Sequence, residues 1–166
     1  MPFRAGILTI SDMGSRGERE DTSGAAIREL LSSIHIEIGK YEIVPDERDV
    51  ISARLVEWSD EGLELIVTTG GTGLGPRDVT PEATRDVIGY EVPGIAEAMR
   101  AEGLTKTPMS MISRAVAGVR GQTLIINLPG SPKGVRENLA VVLPVLVHAM
   151  ELLTERPSEH QAGTSV

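Results

Sequence analysis

The sequence predicts an α/β fold, a three-layer sandwich whose mostly parallel central sheet is flanked by helices. Three observations carry this expectation. Short aliphatic runs recur along the chain, the stretches between them show helical periodicity, and four loops rich in turn and cap residues follow the apolar runs. With 166 residues and 40% apolar content, the chain can bury one sizeable core. Residues 1–154 read as a single domain and residues 155–166 as a polar, flexible tail.

The elements follow in order. Phe3 to Ser11, carrying Ile7, Leu8 and Ile10, reads as a buried strand, followed by a Gly-rich charged loop through Glu20. Ile27, Leu30, Leu31 and Ile34 recur at helical spacing behind a cap drawn from Asp21-Thr22-Ser23. Ile36 to Val44 alternates imperfectly as a second strand, broken by Pro45-Asp46. Ile51, Leu55 and Trp58 mark the inner face of a helix stopping near Gly62. Leu63 to Thr68 is a third strand, running into the glycine-rich stretch Thr69–Pro76. Thr80-Pro81-Glu82 begins a helix with proline in its first turn, Pro93 opens another through Met99, and Thr107-Pro108 starts a further short one. Thr123 to Leu128 is the last expected strand. Val135, Leu139, Val142, Leu143, Leu146, Met150 and Leu153 then form an apolar helical stripe, which Pro144 should bend or break.

Composition excludes several function classes. The chain has no cysteine, which removes disulfide scaffolds, Cys-ligated metals and thiol catalysis. The three histidines, His35, His148 and His160, lack metal-ligand spacing. No apolar run approaches the roughly 20 residues that span a bilayer, and the N-terminus offers no signal cleavage site, so a cytoplasmic protein without membrane partners is expected. A net charge of −8 and 2% aromatic residues disfavour nucleic-acid binding. The charge is uneven. Gly103 to Arg136 contains no Asp or Glu but holds Lys106, Arg114, Arg120, Lys133 and Arg136. Such a stretch suits a small anion, or equally a solvated surface.

The four loops after strands are where an α/β sheet gathers ligands. In the third, glycines at 70, 71, 73 and 75 leave backbone N–H groups free to converge on a phosphate. Neither a Walker A pattern nor the dinucleotide fingerprint fits. Asp78 follows that loop. A carboxylate beside a phosphate suggests a bridging Mg2+, which takes one or two carboxylates plus phosphate oxygens. Its alternative role is to cap the helix beginning near Pro81. Asp46 carries the same ambiguity, and Ser11-Asp12 alone is an ordinary turn. In the fourth loop, Pro129-Gly130-Ser131-Pro132-Lys133, Ser131 can cap the long helix, whose N-terminus also suits an anion. Capping explains Ser131 and Pro132 but not Lys133, because a cation is mildly unfavourable there.

Taken together, Thr68-Thr69-Gly70-Gly71-Thr72-Gly73 and Pro76-Arg77-Asp78-Val79-Thr80-Pro81-Glu82-Ala83 resemble the signature of the molybdenum-cofactor biosynthesis proteins, the family of molybdopterin adenylyltransferase and the gephyrin G domain. Ser11-Asp12, Pro45-Asp46, Pro93-Gly94-Ile95 and Leu128–Pro132 fall in the family's order, from about Ile7 to Leu153. The resemblance implies a compact α/β domain that forms a homotrimer or hexamer. It also implies transfer of AMP from Mg-ATP to molybdopterin with release of pyrophosphate, ahead of a downstream molybdenum-insertion protein. Carried over by motif, Asp46 and Asp78 are the catalytic, Mg2+-associated carboxylates. Ser11, Asp12, Gly70, Gly71, Thr72, Gly73, Arg77, Pro129, Gly130, Ser131 and Lys133 are the ligand-contacting positions. The loop Met13–Arg19 departs from the family pattern. Two alternatives stay open, a pterin-binding relative without catalysis and a trimeric scaffold.

Overall fold

A computed structural model describes residues 2–156. It has a six-stranded sheet in the order β2-β1-β3-β6-β5-β4, with β1 Arg4–Ile10, β2 Glu37–Val44, β3 Leu65–Thr69, β4 Tyr90–Glu91, β5 Ala117–Arg120 and β6 Thr123–Leu128. The pairs β1/β2, β1/β3 and β3/β6 are parallel, whereas β5 and β4 extend the sheet antiparallel. The expected α/β sandwich is present. The two short antiparallel strands were not expected. β5 reads Ala-Gly-Val-Arg, with too little apolar alternation to announce a strand, and β4 is two residues beside Pro93.

Alternation along the strands separates two cores, because successive side chains point to opposite faces. Ile7, Val67 and Ile126 face one core with helices α2 (Thr22–Ser33), α5 (Pro93–Leu104) and α6 (Pro132–Thr154). Leu8, Ile66 and Ile125 face the other, with α3 (Arg48–Asp60) and α4 (Thr80–Arg85). The expected loop after β1 contains one helical turn, α1 (Asp12–Ser15), which Ser11 caps by accepting from the Gly14 N–H at 3.0 Å.

The helix α6 buries Val135, Leu139, Val142, Leu146 and Met150, the spacing of one helical stripe. Pro144 does not break it. The residue sits on the exposed side, where water can satisfy the carbonyl that its missing N–H leaves unpaired. Among the described helices, α6 is the one long and apolar enough to cross a membrane, but its stripe is packed into the first core. The expected tail falls mostly outside the described residues. Of its first two positions, Glu155 adopts φ +54°, and Arg156 bonds Glu64 with its guanidinium 4.6 Å from the Phe3 ring centre.

Candidate active site

Because β1, β2, β3 and β6 run parallel, their C-terminal ends share one sheet edge, where the crevice of an open α/β sheet lies. The residues after them line one cleft of about 520 Å3. Ser11 comes from the first strand end, Asp46 from the second, Gly70, Gly71 and Asp78 from the third, and Gly130 and Ser131 from the fourth. Asp78 is near enough for its charge to bear on Asp46. Asp12, Thr72, Gly73, Arg77, Pro129 and Lys133 are not part of the lining.

Two glycines allow the third loop its path. Gly70 has φ +100° and Gly71 φ +69°, in the left-handed region that side chains disfavour. A Cβ at Gly70 would stand 2.3 Å from the Ile10 carbonyl oxygen, and one at Gly71 2.3 Å from Thr80 Oγ1. The Gly70 N–H donates to Leu128 O at 3.1 Å, and Thr80 Oγ1 donates to Gly70 O at 2.9 Å, so the turn is tied to β6 and to α4. Thr72 is buried, and its carbonyl accepts from the Arg114 N–H at 2.9 Å.

Asp78 does not cap α4. The cap position is Val79, which makes no side-chain bond, whereas Asp78 Oδ2 accepts from the Gly75 N–H at 2.8 Å. The loop carrying Asp78 is held from outside by Arg114. That guanidinium donates to Gly73 O at 2.8 Å, to Asp78 O at 2.8 Å and to Glu82 Oε2 at 2.7 Å. Arg's planar fork of donors suits such a set of acceptors.

Asp12 and Asp46 clasp each other's backbone. The Asp12 N–H donates to Asp46 Oδ2 and the Asp46 N–H to Asp12 Oδ1, both at 2.9 Å. Arg77 closes over Asp12 with two bonds, at 3.1 and 2.9 Å, and reaches Glu47 at 3.0 Å. The Arg77 hydrogen bonds hold the Asp12 carboxyl below its ordinary range. Burial, with Asp12 and Asp78 nearby, pushes Asp46 the other way. A carboxyl whose folded value is raised is disfavoured when ionised. Its penalty is therefore complete above the folded value and vanishes below the ordinary value near 3.8. Asp46→Asn, which retains an acceptor for the Asp12 N–H, should thus raise the thermal midpoint at pH 7. The gain should shrink as pH falls through the raised value, and melting curves across pH 3–7 check it. A variant less stable than the parent at pH 7 contradicts the assignment.

The acid-free stretch does not supply the cleft with cations. Lys106 pairs with Glu102, Arg114 with Glu82, Arg120 with Asp60, Lys133 with Glu137 and Arg136 with Glu29. Each partner lies outside the stretch, which is why the sequence separated them. Lys133 is 85% exposed.

The wall of the cleft that sequence reasoning passes over is Arg19 to Ser23. The sequence marks Asp21 only as a cap. It does cap α2, accepting from the Gly24 N–H at 2.9 Å, and it also accepts from Thr9 Oγ1 at 2.6 Å and from the Tyr41 hydroxyl. Burial and this carboxylate push the Tyr41 phenol up to about 12. Ser23 Oγ donates to Gly130 O at 2.6 Å, fastening the start of α2 to the fourth loop. The available signal was the cap itself, since a capped helix following β1 brings its first turn to the strand ends.

Comparison with known proteins gives the family of the chain. The family profile described as a probable molybdopterin binding domain matches residues 6–148. The chain belongs to this family. Within it, the molybdopterin adenylyltransferase of Helicobacter pylori (strain J99) is 46% identical over 151 residues, covering 89% of this chain and 86% of that protein. Gephyrin of Dictyostelium discoideum is 44% identical over 163 residues, 92% of this chain but 23% of gephyrin. Among solved structures, the molybdopterin biosynthesis enzyme MoaB from Thermus thermophilus superposes with a TM-score of 0.90 at 61% identity, covering 95% of this chain and 99% of that one. The parallel strand ends, the four-loop cleft and the glycine turn are thus found together in this member of the molybdopterin-binding family. Among the described residues, no histidine lines the cleft.

Proposed function

We propose that the protein is a molybdopterin adenylyltransferase acting in molybdenum-cofactor biosynthesis, transferring AMP from ATP to the terminal phosphate of molybdopterin. The observation that carries this reading is the convergence of Asp46, Asp78 and the Gly70-Gly71 turn on one cleft, in a chain 46% identical to a protein of that name. A phosphate oxygen of molybdopterin attacks the α-phosphorus, the bond to the β-phosphate oxygen breaks, and pyrophosphate leaves. The attacking oxygen is already ionised near neutral pH, so no general base is required, consistent with the lack of histidine among the described residues that line the cleft. What the reaction does require is alignment of two polyanions and relief of their repulsion.

Mg2+ suits the donors present. Among the described residues no group of three or more His, Cys, Asp or Glu forms a cage, and Asp46 and Asp78 offer the one or two carboxylates that Mg2+ takes when phosphates and water complete its shell. Bound there, the ion would neutralise charge on the reacting phosphates. The protein's own part is positional. Asp12 fixes the Asp46 backbone, Arg114 fixes the Asp78 loop, and the Gly70-Gly71 turn brings main chain against the ligand.

A cytoplasmic homotrimer or hexamer is the setting we assign. Exposed Leu104, Met109, Met111 and Ile112, around the 3-10 helix Pro108–Ile112, supply an apolar surface that supports assembly. The adenylylated product then passes to a molybdenum-insertion protein. The deciding experiment mixes the protein with Mg-ATP and molybdopterin and measures pyrophosphate. Stoichiometric release dependent on both substrates is expected, and no release would overturn the assignment.

A further inference from the structure

We propose that Arg19 is a phosphate-binding residue of the cleft, contacting a phosphate group of one of the two substrates. This rests on the functional reading above and names the cation that reading lacks. Among the described residues, the cleft is lined by Glu20, Asp21, Asp46 and Asp78, and by no other lysine or arginine than Arg19. A site for two polyanions is thus lined by four carboxylates and a single guanidinium.

Arg19 is also the cation that can change partners at least expense. Its Nη2 donates to Met13 Sδ at 3.4 Å, and thioether sulfur is a weak acceptor that a phosphate oxygen outcompetes. The guanidinium has no carboxylate partner among the described residues. Arg77, by contrast, would have to leave two bonds to Asp12 and one to Glu47, and it does not line the cleft. Lys133 likewise stands outside the lining. Arg19 belongs to the cleft wall formed by residues 19–23, whereas Asp46 and Asp78 come from the second and third strand ends. Arg19 therefore serves a part of the ligand away from the paired carboxylates, and a phosphate is the group both substrates carry.

Calorimetry with Arg19→Gln tests this, measuring the dissociation constants of Mg-ATP and of molybdopterin separately. One of the two should rise by about tenfold or more, as expected for loss of a charge-assisted bond, and Arg19→Lys should recover part of it. A rise for Mg-ATP assigns Arg19 to the nucleotide, and a rise for molybdopterin assigns it to the pterin phosphate. Arg16→Gln is the control for long-range charge, since Arg16 lies nearby in the same loop, paired with Glu18 outside the lining, and it should leave both constants within about twofold. Unchanged constants in Arg19→Gln, or an equal rise in Arg16→Gln, overturn the proposal. Pyrophosphate release by the parent protein is scored independently, so a protein that binds but does not turn over would fault the functional reading and not this residue.

Discussion

Asp78→Asn will lower the rate of adenylyl transfer by about 10³-fold while leaving molybdopterin affinity within a few-fold of the parent. The substitution is chosen to separate charge from shape. Asp78 Oδ2 accepts from the Gly75 N–H at 2.8 Å, a bond that an asparagine oxygen can keep, and Arg114 holds the loop through the Asp78 carbonyl, which the change does not touch. The loop should therefore stay in place. What disappears is a negative charge facing the cleft beside Asp46, where a divalent ion would be held. Single-turnover pyrophosphate release and pterin binding by fluorescence read the two effects apart. Turnover near the parent rate would show that the carboxylate has no part in catalysis.

Gly70→Ala should destabilise the protein by about 2–4 kcal/mol and abolish activity, because it combines backbone strain with a backbone collision. The φ of +100° alone disfavours alanine, and its Cβ would sit 2.3 Å from the Ile10 carbonyl oxygen. The turn cannot move aside cheaply, since its N–H is bonded to Leu128 O and its carbonyl to Thr80 Oγ1. Gly62 provides the comparison. It has φ +90°, but a methyl group there would meet nothing within 4 Å, so Gly62→Ala should show strain alone, about 1 kcal/mol. Urea unfolding of the two variants isolates the collision as their difference. Equal losses would mean that β1 and β3 can part without consequence.

Much of this molecule was legible before its structure. Strands β1, β3 and β6 were visible because each is an aliphatic run ended by a turn residue, β2 because its imperfect alternation stops at Pro45-Asp46, and α6 because its stripe spans several turns. β4 and β5 were hidden because their pairing is a tertiary property of residues with little strand character. In the site, Asp46, Asp78 and the glycine turn were readable since each lies in a loop that follows a strand. The electrostatics were not. The five cations of the acid-free stretch looked available only because their carboxylate partners are contributed from outside it, by Glu29, Asp60, Glu82, Glu102 and Glu137. Arg19 went unnoticed for the converse reason. It sits in a loop of mixed charge, and only folding shows that this guanidinium lines the cleft while Arg16, nearby, pairs with Glu18.

In the proposed reaction, that balance of charge at the strand ends would act as a filter on what enters. A bare nucleotide would meet a repulsive mouth, whereas one carrying a divalent counterion would arrive with about half its charge offset and be repelled less. Added salt should then help a metal-free nucleotide approach, the reverse of what a basic pocket shows.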